Sequence, residues 1–149
     1  MRDIRISINR DEVYEEVAKT TAYIGGKSLD ANGKSLYDQV FVTDADRDML
    51  EGYWNDAIND VSVALDSILA FENSESGEEE TFGLRVSNLF KESLTKTLKS
   101  SIFSYVVNKI VARWCFVVAP DKVEYCELIA KTYLAKIGEI IYARKRPTR

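Results

Sequence analysis

The sequence predicts a mainly α-helical protein, a bundle of about four helices with one or two short β-strands, one at the N-terminus and one near residues 81–87. Three observations carry this. Apolar residues recur at helical spacing over four long segments. Ile4, Ile6 and Ile8 alternate with polar residues, as do Phe82, Leu84 and Val86, which is the period of a half-buried strand. The 149 residues contain no internal repeat and no second composition block, so residues 1–149 read as a single domain.

The first helix starts after the N-terminal strand. Asn9-Arg-Asp-Glu12 has the form of a capping box, with acids where the helix dipole favours them. Val13, Val17, Thr21 and Ile24 share one face, and Gly25 or Gly26 is the expected stop. Residues from about 27 to 38 read as a flexible loop with Asn32-Gly33 at a turn, and Leu36, Tyr37, Val40 and Phe41 as its anchors.

Thr43 or Asp44 is the expected cap of a second helix ending near Leu69. Leu50, Trp54, Ala57, Val61, Ala64 and Ile68 form its seam, widened by Tyr53, Ile58 and Leu65. The acidic stretch from about 71 to 80 reads as a second flexible loop. The following strand pairs either with the first strand or with residues just before the loop. A third helix is expected from Leu89 or Lys91 to Val118, lined by Leu94, Leu98, Ile102, Val106, Ile110 and Val117, with Phe103, Tyr105 and Trp114 broadening the face. Ala119-Pro120 breaks it, and Pro120-Asp121 opens a fourth helix whose buried set is Val123, Cys126, Ala130, Tyr133, Ile137, Ile140 and Ile141. So short a break predicts a helical hairpin. Residues 143–149 form a basic tail.

Composition narrows the chemistry. There is no histidine, which removes the commonest general base and the Ser-His and Cys-His nucleophile pairs. Cys115 and Cys126 sit in apolar helical patterns and read as free buried thiols. No cofactor or metal site is expected. No uninterrupted apolar run approaches the roughly 20 residues that span a bilayer, and the alternating start is unlike a signal peptide, so cytosolic synthesis and no membrane partner are expected. The net charge of −4 conceals a split: residues 1–80 hold 19 acids and 7 bases, residues 81–149 hold 5 acids and 13 bases. Such a split suggests complementary surfaces, within one chain or between copies.

Four motifs compete for a function. Gly26-Lys27-Ser28 and Gly33-Lys34-Ser35 resemble the end of a phosphate-binding loop, but the positions five before each, Thr21 and Ser28, are not glycine, and the strand–loop–helix context is missing. Asp44, Asp46 and Asp48 open like a calcium loop, yet its sixth and twelfth positions would be Met49 and Asn55, so the better reading is acids in a helix's first turn. Asp48, Glu51, Asp56, Asp60 and Asp66 lie mostly off the Leu50-Trp54-Val61 seam and read as a solvated or partner-facing side. Arg144, Lys145, Arg146 and Arg149, with Lys91, Lys96, Lys99 and Lys109, form a patch suited to partner docking or non-specific DNA contact. The candidate interaction residues are therefore Asp44, Asp46, Asp48, Arg144, Lys145, Arg146 and Arg149.

The stretch Val42-Thr-Asp-Ala-Asp-Arg-Asp-Met-Leu-Glu-Gly-Tyr-Trp-Asn-Asp-Ala-Ile58, followed by the helical run from Leu94 to the Tyr-Ala-Arg-Lys-Arg-Pro-Thr ending, resembles the small helical head–tail connector (adaptor) proteins of tailed phages and prophages. The resemblance implies a non-enzymatic virion protein made in the bacterial cytoplasm. It implies a ring of copies between portal and tail, held by protein–protein contacts. The segment from Ile4 through the first helix exceeds the smallest family members. The alternative from another class is a helical regulatory or scaffold module that binds a host protein through an apolar groove.

Overall fold

The computed structural model describes residues 2–27, 42, 44–70, 74–76 and 78–142. Among these the protein is mainly helical. Strand β1 (Arg2–Asn9) leads into helix α1 (Arg10–Lys27), and α2 (Arg47–Ala64) follows. Strands β2 (Ser74–Ser76) and β3 (Glu79–Val86) come next, then α3 (Leu94–Val118) and α4 (Val123–Tyr142). Short 3-10 turns precede α2 and α4 and follow α2.

The sheet is antiparallel in the order β1-β3-β2. Ile4 stands opposite Leu84 and Ile6 opposite Phe82. Because side chains alternate across a strand, this register puts Ile6, Ile8, Phe82, Leu84 and Val86 on the core side, all buried. On the other face, Arg85 bonds Asp3 across the strands at 3.1 Å. β3 pairs with β1, one of the two expected pairings, and its other neighbour β2 lies inside the stretch expected as a loop, not before it. The stretch expected as a loop over 71–80 is thus partly structured: β2 pairs with β3 through Ser74 and Thr81, Glu75 and Glu80, and Ser76 and Glu79. Glu78 of this stretch is held by Arg10. The Arg10 backbone N–H donates to the Glu78 carbonyl at 2.7 Å, and the Arg10 guanidinium donates to the Glu78 carboxylate at 3.0 Å.

Asn9 caps α1 as expected, its side-chain oxygen accepting the Glu12 N–H at 3.0 Å. The helix runs through Gly25 and Gly26 to Lys27 rather than stopping at either glycine. Gly25 is buried, so packing retains it in the helix despite its poor propensity. The 3-10 turn Asp44–Asp46 precedes α2. Asp46 occupies the N-cap position of α2 without a side-chain cap bond. α2 ends at Ala64, short of Leu69. Leu69 instead bridges to Leu84, and the Ala70 N–H donates to the Gly83 carbonyl at 2.8 Å. The sheet edge therefore claims residues that a continued helix would have used, and Leu65 rather than Ala64 completes the buried seam.

α3 starts at Leu94, later than Leu89 or Lys91, because Phe90 turns inward and is buried. Its carbonyl accepts a 2.7 Å bond from the Arg2 guanidinium. α3 is the central helix, touching α1, α2, α4 and β1. By length and composition it would pass as a membrane span, but over half of its most apolar window is buried against the rest of the chain. α3 and α4 form the most extensive helix pair, joined through Ala119 and the 3-10 turn Pro120–Lys122. The buried apolar residues of all four described helices and of β1 and β3 form one cluster. The anchors expected at Leu36, Tyr37, Val40 and Phe41 lie outside the described residues.

Candidate interaction surface

Two kinds of surface emerge, one charged and largely self-satisfied, the other apolar. α2 turns Asp56 and Asp60 toward α3. Asp56 accepts from Arg113 at 3.1 Å, and the Arg113 guanidinium lies 5.7 Å from the Tyr53 ring centre. Asp60 accepts a 2.7 Å bond from the Tyr105 hydroxyl and sits 3.9 Å from the Lys109 ammonium. Burial first, and then Asp60 as partner, push the Tyr105 pKa up. Near the start of α1, Arg10 also reaches Glu51 at 3.4 Å, and Arg47 pairs with Asp11. Tyr14 packs edge-on to Trp54, with ring centres 6.5 Å apart, and lies 5.2 Å beneath the Arg47 guanidinium.

Part of the charge split is therefore spent inside the molecule, since Asp3–Arg85, Asp56–Arg113 and Asp60–Lys109 each join the acidic half to the basic half. Of the α2 acids expected on a solvated or partner-facing side, Asp56 and Asp60 meet α3 and Glu51 meets Arg10 of α1, while Asp48 is exposed. Such half-exposed pairs fix orientation more than they add stability.

The apolar surface is different. Around the α3–α4 turn, Phe116 is 72% exposed, Val117 56%, Tyr125 68% and Leu128 63%. Val117 was expected in the buried seam of the third helix; at the end of α3 it passes beyond the elements that cover the rest of that helix. Phe116 and Val117 border a cavity of about 280 Å³ shared with Tyr53, Arg113 and Glu127. A larger groove of about 430 Å³ lies between α2 and α4, with Val63, Ala64, Tyr105, Ala130 and Leu134 as apolar lining and Asp60, Lys109, Glu127 and Lys131 as charged lining.

Of the candidate interaction residues singled out from sequence, Asp44, Asp46 and Asp48 are the ones the structure describes. Asp44 and Asp46 lie in the 3-10 turn before α2, where Asp46 is half-buried and has an interaction partner, and Asp48 is exposed in the first turn of α2. Arg144, Lys145, Arg146 and Arg149 lie outside the described residues, as do Ser28 and the second Gly-Lys-Ser triplet. Gly26 and Lys27 of the first triplet are helical. Among the described residues no three His, Cys, Asp or Glu side chains converge as a metal site. Sequence reasoning did not single out these exposed apolar residues; Val117 carries the helical periodicity of a core residue, and Phe116, Tyr125 and Leu128 lie off the expected seams. Comparisons with protein-family models, with curated proteins and with solved structures find no match.

Proposed function

We propose that the chain is a non-catalytic assembly protein of the head–tail connector type, made in a bacterial host and incorporated in a phage or prophage particle. It acts by docking on further copies of itself, in a ring, and on a portal or tail component. The observation that carries the reading is that Phe116, Val117, Tyr125 and Leu128, four large apolar side chains flanking the α3–α4 turn, are left in water. Exposed apolar patches mark protein–protein contact surfaces. A ring is built from head-to-tail contacts, so each copy must offer two different, complementary patches. The apolar turn supplies one. The acids Asp46 and Asp48 and the tail bases Arg144, Lys145 and Arg146 supply charge for others, with the tail also able to contact DNA non-specifically. Phe116 and Tyr125 are the aromatic anchors of the reading.

The test is assembly. Light scattering and electron microscopy of the chain, alone and mixed with any portal protein encoded near it, should give closed rings. Phe116→Asp should abolish them while leaving the helical circular dichroism unchanged. A chain that stays monomeric with any neighbouring portal and tail proteins refutes the reading. The α2–α4 groove favours a second reading, a regulatory or scaffold module that holds an apolar helix of a host protein. That reading predicts a monomer or two-fold dimer, and loss of binding on Val63→Asp.

A further inference from the structure

Cys115 and Cys126 stand on α3 and α4, on either side of the Ala119–Pro120 break. Both belong to the buried core cluster. They are free thiols that interact side chain to side chain across the helix pair. Their surroundings differ. Cys115 is fully enclosed. Cys126 lines a cavity of about 290 Å³ between α1, α3 and α4, with Tyr23, Val111, Lys122 and Tyr125 among its walls. Tyr23 and Tyr125 are largely exposed at this site, so a small reagent has a route to one sulfur and not to the other. A purely structural pair of core cysteines does not require that asymmetry.

We propose that Cys126 is an oxidation site and Cys115 its resolving partner, so that a peroxide entering the cavity leads to an intrachain disulfide between α3 and α4. In the first step the Cys126 thiolate attacks one peroxide oxygen. The O–O bond breaks, the sulfur becomes a sulfenic acid, and the departing hydroxide takes up a proton as water. In the second step the Cys115 sulfur attacks the Cys126 sulfur. The S–O bond breaks, a second water leaves with the Cys115 proton, and the S–S bond forms. Two thiols are oxidised and one peroxide is reduced to two waters. This is the reversible first rung of cysteine oxidation, and a neighbouring thiol halts it before irreversible products form.

The electrostatics agree with the assigned order. The hydrogen bond with Cys115 draws the Cys126 thiol below its ordinary range, burial opposes this, and the Lys122 ammonium lowers it further. The same hydrogen bond, together with burial, pushes Cys115 up. The thiolate is the nucleophile, and the Lys122 ammonium, which shares the cavity with Cys126, favours it there. Closure requires the sulfurs to approach to about 2.0 Å, across helices joined by the short Ala119–Lys122 connection.

The test uses the full-length chain and hydrogen peroxide. Intact mass should fall by about 2 Da, reversed by a thiol reductant, as two hydrogens are lost. Peptide mapping should join Cys115 to Cys126. In Cys115→Ala, dimedone should trap a sulfenic acid at Cys126, and in Cys126→Ala the remaining thiol should stay unmodified. A native chain whose mass is unchanged under these conditions overturns the proposal. So does a lasting sulfenic acid in the unsubstituted chain, or a disulfide-linked dimer in place of the internal bond. Should either variant fail to fold, alkylation of the unsubstituted native chain decides: Cys126 should be labelled at least about tenfold faster than Cys115, following thiolate character and access. Equal rates, or labelling only on unfolding, overturn the assignment.

Discussion

Two buried tyrosines should respond to the same substitution with opposite signs. Tyr105 and Tyr14 are both core residues, and Tyr→Phe removes one oxygen from each. The Tyr105 hydroxyl donates to Asp60 at 2.7 Å, whereas the Tyr14 hydroxyl is buried with no hydrogen-bond partner among the described residues. A bond to a charged acceptor contributes about 1.5–3 kcal/mol. Asp60 is 42% exposed and water can partly replace the lost donor, so Tyr105→Phe should cost the low end, about 1.5 kcal/mol. For a chain of this size that lowers the melting temperature by roughly 3–6 °C. Tyr14→Phe removes a group that has already lost its hydration and keeps the ring contacts to Trp54 and Arg47, so it should be neutral or stabilising by up to about 1 kcal/mol. Urea unfolding at pH 7 measures both. A double-mutant cycle of Tyr105→Phe with Asp60→Ala should show a coupling of about 1 kcal/mol. Equal costs for the two tyrosines, or a coupling near zero, would refute the reasoning.

Other outcomes follow from the same geometry. Trp54→Ala should cost about 3–5 kcal/mol in urea, because the indole is enclosed between α1 and the α2 seam. The buried Thr21 hydroxyl donates to the Val17 carbonyl at 2.9 Å and accepts the Val42 N–H at 3.2 Å, so Thr21→Val should cost about 1–3 kcal/mol by leaving that N–H unpaired, and Thr21→Ser should restore most of it. Burial first of all raises the Tyr14 pKa to about 12 from an ordinary 10. The stability tied to its neutral form is complete below pH 10 and is lost as pH rises through about 12, so unfolding midpoints should fall over that window, less steeply in Tyr14→Phe. Reversing Arg144, Lys145 and Arg146 to Glu should leave the melting temperature unchanged while weakening assembly with the portal. Normal assembly of that variant would remove the tail from the proposed docking role.

The charge split illustrates how far composition carries an argument. Read along the chain, an acidic half and a basic half invite a search for an external partner. In the folded protein Asp3, Asp56 and Asp60 meet Arg85, Arg113 and Lys109, and Glu78 meets Arg10 within the acidic half.

The sequence by itself determined whatever depends on local periodicity and local caps. The alternation of Ile4, Ile6 and Ile8, the Asn9 cap, the Val13-Val17-Thr21 face, the Leu50-Trp54-Val61 seam and the Ala119-Pro120 break all occur as those residues dictate. Period and capping are set within a few residues, so they survive without knowledge of the rest of the chain. The tertiary structure alone decided which segments compete for one place. Leu69 and Ala70 left the helix for the edge beside Leu84 and Gly83, residues 74–76 became a strand because β3 offered one, and α3 became buried on several faces because α1, α2, α4 and β1 converge on it. Val117 kept a core-like pattern but ended exposed, and Cys115 met Cys126 only when the hairpin closed. Periodicity records which side of a helix is apolar, whereas burial depends on what arrives from elsewhere in the chain to cover it.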